Sequence, residues 1–147
     1  MEKIFENFTI TILKLNNLVH RIKNFEMQEY GLKTIHVMCV YYLDIHPEGV
    51  TASELSKLTL EDKAAISRAL KVLQEKGYAS YDSNKYNADI RLTEAGKKFA
   101  SIISEKAEKA VSAGSYDFTE EQRNSFYKEL GTIADNLEKY YNEIIKK

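Results

Sequence analysis

The sequence predicts a mainly α chain with one small two-stranded β hairpin, framed by long helices at both ends. Three observations predict it. Apolar residues near each terminus recur at alternating spacings of three and four, the period of a long amphipathic helix. Between the long stretches, the capping box Thr51-Ala52-Ser53-Glu54 and the helix-ending Gly77 bound two short helices that meet at residues 59–62. Immediately afterwards, residues 78–81 and 88–92 read as strands around the turn Asp82-Ser83-Asn84-Lys85. Helix, turn, helix and hairpin in that order make a winged helix-turn-helix.

The first long helix is predicted over residues 4–26, a stretch without Gly or Pro. Phe5, Phe8, Ile12, Leu15, Val19 and Ile22 form a heptad-like seam, which Ile4, Leu18 and Phe25 widen. Such a face must be covered by other long helices. After Gly31, residues 34–44 are apolar almost all round, as in a central, buried helix. Pro47-Glu48-Gly49 ends that segment.

The next helix starts at Thr51 and is expected to end near Leu58, with Val50 and Leu55 as its hydrophobic staple. The helix over residues 62–76 has two unlike faces. Ile66, Ala69, Leu70 and Leu73 lie on one side; Ala64, Ser67, Arg68 and Lys71 lie on the other. The second face is small, hydroxylated and basic. Small residues let a backbone approach base edges, Ser bonds either base type, and Arg grips guanine O6 and N7 with two donors. Most charged helix faces are merely solvated, so the flanking capped helix and hairpin carry the stronger reading.

Thr93 caps a helix expected to reach about residue 113, whose inner face carries Phe99, Ile102, Ile103, Ala107, Ala110 and Val111. A second capping box, Thr119-Glu120-Glu121-Gln122, opens the last helix, where Phe126, Leu130, Ile133, Leu137, Tyr140 and Ile144 again alternate four and three. Two seam-bearing arms exceed what one small lobe needs for its own core. A homodimer with interlocked terminal helices is therefore expected.

Composition bounds the rest. The 147 residues suit one domain, 1–147, with 1–30 and 94–147 as dimerisation helices and 31–93 as the winged lobe. The net charge of −1 does not advertise nucleic-acid binding, so any affinity must come from a local basic face. One cysteine excludes an internal disulfide framework; with no secretory signal and no run able to span a membrane, a cytoplasmic protein is expected. His36 and Cys39 sit one turn apart, but two ligands are too few for zinc, and Cys39 is expected to be a small core residue. No nucleophile motif, phosphate loop or metal cluster is present, so neither enzymatic activity nor a cofactor is expected.

The chain resembles the MarR family of bacterial transcription regulators. The resemblance lies in Glu54-Leu55, the segment from Asp62-Lys63-Ala64-Ala65-Ile66-Ser67-Arg68 to Ala69-Leu70, Leu73 with Lys76-Gly77-Tyr78, and Arg91-Leu92-Thr93-Glu94-Ala95-Gly96. It implies a homodimeric repressor binding double-stranded DNA at a pseudo-palindromic operator, with Ser67 and Arg68 facing the major groove and the hairpin reaching the minor groove. The candidate DNA-binding residues are Thr51, Lys63, Ala64, Ala65, Ser67, Arg68, Lys71, Lys85 and Arg91. It also implies a small effector, aromatic or phenolic, for which His20, His36 and Tyr41 are candidates, although simple packing accounts for them equally well. One departure stands out. The family's Asp-x-Arg pair at the wing occurs here only as Asp89-Ile90-Arg91, within the returning strand, and the tip offers a single cation, Lys85. A winged-helix protein-interaction module without DNA binding is the alternative.

Overall fold

The computed structural model describes residues 2–147, with side chains from residue 3 onward. The elements follow in the order α1 (Glu2–Met27), a single 3-10 turn (Gln28–Tyr30), α2 (Thr34–Ile45), α3 (Ala52–Thr59), α4 (Lys63–Glu75), β1 (Ala79–Ser80), β2 (Arg91–Leu92), α5 (Glu94–Gly114) and α6 (Glu120–Ile144). The chain falls into two compact units, the first ending at Lys106 and the second spanning Ala107–Lys147.

The first unit holds the core. Val37, Cys39, Val40 and Leu43 of α2 pack with Leu55 of α3, Ile66, Ala69, Leu70 and Leu73 of α4, and Phe99 of α5. Fully burying each Leu or Ile contributes about 1.5–3 kcal/mol, so this cluster is the main source of the lobe's stability. Three local devices aim the helices. The Thr51 hydroxyl accepts from the Glu54 N–H at 3.2 Å, and the Glu54 carboxylate accepts from the Thr51 N–H at 2.8 Å. Asp62 caps α4 by accepting from the Ala65 N–H at 2.7 Å. Asn24 of α1 accepts both the N–H and the hydroxyl of Thr34, each at 2.9 Å, which pins the start of α2 to α1.

Four expectations are modified. The strands are shorter than residues 78–81 and 88–92. β1 and β2 pair antiparallel with Ala79 opposite Leu92 and Ser80 opposite Arg91, while Ile90 exchanges both backbone hydrogen bonds with Val50 instead. The returning strand is thus shared between two neighbours, and the polar residues beyond Ser80 have no apolar alternation to extend the ladder. Secondly, α2 is not buried all round. Tyr41, edge-on to Tyr42 at 5.2 Å, and Ile45 are half exposed because only one side of the helix meets α3 and α4. Thirdly, α5 is buried only early: Gly96, Phe99 and Ala100 are enclosed, while Ile102 and Val111 are exposed. Finally, the whole α1 seam is uncovered, with Phe5 72% and Phe25 74% exposed.

Phe99 joins the start of the wing to the 3-10 turn that follows α1. Its ring stacks parallel to Tyr78 at 4.5 Å and meets Tyr30 edge-on at 5.0 Å. The Lys106 ammonium, between Glu26 and Glu29, is raised in pKa chiefly by its hydrogen bond to Glu26.

In the second unit, Ser115 is buried and donates to the Val111 carbonyl at 2.7 Å while accepting from Arg123 Nε at 2.8 Å. The Thr119 capping box forms as expected, with Thr119 accepting from the Gln122 N–H at 3.1 Å and Gln122 accepting from the Thr119 N–H at 2.9 Å. Along α6, Phe126, Ile133, Leu137, Tyr140 and Ile144 remain exposed.

Candidate nucleic-acid interface

The second helix of the helix-turn-helix divides as its periodicity requires. Ile66, Ala69, Leu70 and Leu73 are buried, whereas Lys63, Ala64, Ser67, Arg68 and Lys71 are exposed and Ala65 is partly covered. The anchored face holds the helix against α2 and α3, leaving the other face free. The turn before it is tight: Leu60 takes a left-handed conformation (φ 60°), and the Ser56 hydroxyl donates to the Glu61 carbonyl.

A groove of about 520 Å³ runs between the N-terminal half of α4, the start of α3 and the wing. Lys63 and Ser67 line it from the helix side. Asn84, Lys85, Tyr86 and Asn87 line it from the wing. The wing tip is shaped by Asp82, whose carboxylate accepts from the Asn84 N–H at 3.0 Å and whose carbonyl accepts from the Lys85 N–H at 3.1 Å. At the base, Gln74 of α4 donates to the Tyr81 carbonyl at 3.0 Å, which ties wing and helix together.

Three of the lobe's exposed acids are engaged locally with the backbone. Glu54 and Asp62 each bind a backbone N–H at a helix start, where the helix dipole offsets negative charge, and Asp82 is held in its turn. Those backbone bonds, with the Thr51 hydroxyl, also hold the Glu54 carboxyl below the usual carboxylate range. The cations Lys63, Arg68, Lys71 and Lys85 are exposed, with no salt bridge within 4.0 Å to an acid among the described residues. A nearly neutral lobe therefore still presents a basic, hydroxylated face.

Of the nine residues expected to contact DNA, Lys63, Ser67 and Lys85 line this groove, and Ala64, Arg68 and Lys71 share the exposed face of α4. The Thr51 hydroxyl is engaged in its capping box. Arg91 turns away from the wing tip: its guanidinium donates to the Glu48 carbonyl and lies over Gly49, where it would come within 3.3 Å of an added Cβ. Asn84, Tyr86 and Asn87 are groove residues that sequence reasoning passed over. The polar and aromatic run around Lys85 was their only signal.

The three effector candidates lie apart in character. His36 is buried and its Nδ1 accepts the Lys33 N–H at 2.9 Å, closing the first turn of α2. Burial, reinforced by the cations Lys33 and Lys76, holds its pKa below the ordinary imidazole value. Tyr41 is 50% exposed on another side of the same helix. His20 is exposed on α1 and meets α2 through its backbone carbonyl, which accepts from the Thr34 hydroxyl at 3.3 Å. Cys39 is fully enclosed, and burial pushes its thiol up to about 12. Among the described residues, no group of three or more His, Cys, Asp or Glu side chains could hold a metal ion, and no helix is long and apolar enough to cross a membrane.

Residues 30–84, which hold α2, the helix-turn-helix and the wing tip up to Asn84, match the model of the MarR family. Over that segment the chain is similar to the MarR family. Solved structures extend the likeness beyond that segment. A MarR transcriptional regulator from Methanosarcina mazei Go1 is 21% identical, with a TM-score of 0.83 over 92% of each chain. A MarR protein from Peptoclostridium difficile is 20% identical, with a TM-score of 0.79 over 94% of this chain and 92% of the other. The S. aureus MepR–DNA complex matches at 15% identity and a TM-score of 0.70, covering 88% of this chain and 96% of the other. No curated protein matches. This chain thus shares the winged-helix fold of these structures, which include a MarR transcriptional regulator.

Proposed function

We propose that the protein is a sequence-specific DNA-binding transcription regulator that acts as a homodimeric repressor and is released or modulated by a small aromatic or phenolic effector. The observation that carries this reading is the exposed face of α4, where Ser67, Arg68 and Lys71 stand free above a helix anchored by Ile66, Leu70 and Leu73. Arg68 grips guanine, Ser67 meets a base edge, and Lys63, Lys71 and Lys85 neutralise phosphates. The uncovered apolar faces of α1 and α6 support the homodimer, because exposed patches of that extent mark interaction sites. A two-fold pair then sets two recognition helices in successive major grooves, about 34 Å apart.

The effector acts by binding with different affinity to the states that match and mismatch the operator. Tyr41 offers it an exposed aromatic wall. The deciding experiment compares binding of the purified protein to a fragment from upstream of its own gene with binding to a scrambled fragment, at two salt concentrations. Tight binding to the first alone, weakened by salt, is expected; small aromatic acids are then screened for release. A second reading, a winged-helix protein-interaction module, is favoured by one observation. Over residues 31–93 the eight Asp and Glu residues equal the eight Lys and Arg residues in number, so the lobe as a whole carries no excess positive charge. Absence of any selected duplex from a random-sequence library would establish that reading instead.

A further inference from the structure

We propose that Tyr86, at the tip of the wing, reads the DNA minor groove through a neutral contact that selects A·T over G·C pairs. This rests on the DNA-binding reading above and names the wing's part in it. Tyr86 is 88% exposed and lines the same groove as Lys63 and Ser67 of the recognition helix. A duplex seated on the exposed face of α4 therefore also meets this ring. The nearby cation Arg91 is engaged elsewhere, hydrogen-bonded to the Glu48 carbonyl. Asp82 is spent on the turn, and Asn87 is left-handed (φ 51°), which folds the chain back directly after Tyr86 and leaves it at the apex.

The chemistry fits one groove. At A·T pairs the minor groove presents only the acceptors adenine N3 and thymine O2, whereas G·C adds the guanine amino group. A phenol supplies one O–H donor and an uncharged ring suited to a narrow, partly apolar cleft. The guanine amino group obstructs the ring, so recognition is steric as well as polar. A neutral contact displaces no counterion and leaves the salt dependence unchanged, in contrast to Lys85 beside it.

The test uses the full-length protein and the duplex it enriches from a random-sequence library. Pairs flanking the major-groove half-sites are changed from A·T to G·C, or to inosine·cytosine, which restores the minor-groove face of A·T while keeping the major-groove face of G·C. Expected for the wild type is about tenfold weaker binding to the G·C flank and near-normal binding to the inosine flank. Tyr86→Ala removes that difference with an unchanged salt slope, and Tyr86→Phe retains the steric part. Lys85→Ala lowers the salt slope by about 1 and keeps the flank preference. A flank preference that survives in Tyr86→Ala, or that the wild type lacks, overturns this proposal alone. Failure of the wild type to enrich any duplex overturns the DNA-binding reading and this proposal with it.

Discussion

Replacing Gly96 with alanine sets two effects against each other. Within a helix, Gly→Ala favours the folded state by about 1 kcal/mol. Here the added Cβ would lie 2.0 Å from the Tyr78 carbonyl oxygen, 2.9 Å from its carbon and 3.2 Å from Leu92 Cδ2. Ordinary contact begins near ~3.4 Å, so α5 and the wing base must part by more than about 1 Å. The obstacle is backbone and cannot rotate aside. The same carbonyl accepts the Thr93 N–H at 3.0 Å, and the parting weakens that bond. Overpacking at about 1–3 kcal/mol and the impaired hydrogen bond at about 1 kcal/mol outweigh the propensity gain, leaving Gly96→Ala less stable by about 1–3 kcal/mol. Urea unfolding at fixed protein concentration checks it: the midpoint should fall by about 1 M at unchanged slope. A midpoint that rises would show that the approach of α5 to Tyr78 is looser than described.

Three further outcomes are expected. Arg68→Ala should lose roughly 1–3 kcal/mol of specific binding and relax the preference at one base pair, measured by titrating selected and random duplexes; an equal loss on both would make Arg68 a phosphate contact. His36 has a lowered folded pKa, so its contribution to stability is complete above its unfolded value of about 6.5 and is lost as pH falls from there toward the folded value. Denaturation midpoints between pH 7.5 and 5.5 should decline accordingly, and His36→Asn, which keeps an acceptor but does not titrate, should flatten that limb. Cys39 should react with a thiol reagent only as fast as the protein opens, and reaction at the rate of a free thiol in native buffer would contradict its enclosure.

Much of the fold was legible because its signals are local. Thr51 with Glu54 and Thr119 with Gln122 are three residues apart, and their bonds follow from spacing alone. The two faces of α4 follow from helical period, so Ser67 and Arg68 could be assigned to the outer side without coordinates. What escaped depends on contacts far apart in sequence. Arg91 turns away because of a carbonyl 43 residues earlier. Gly96 reads as part of a family pattern, but its reason is the backbone of Tyr78. At His36, the bond from the Lys33 N–H to Nδ1 at the start of its own helix has no signal in the residue spacing. Tyr86 is the reverse case: a tyrosine is more often packed than free, and only its exposure draws notice.

The stack of Tyr78 on Phe99 implies an uneven clock within the wing. Amides at its foot, such as those of Tyr78 and Thr93, are bonded into the same assembly as the core and should exchange with solvent deuterium only through large openings. From Asp82 to Asp89 the backbone makes few internal bonds, and its amides should exchange orders of magnitude sooner. That pattern would make the wing a quickly exchanging tip on a slowly exchanging base, able to adjust to a surface without disturbing the helices that carry it.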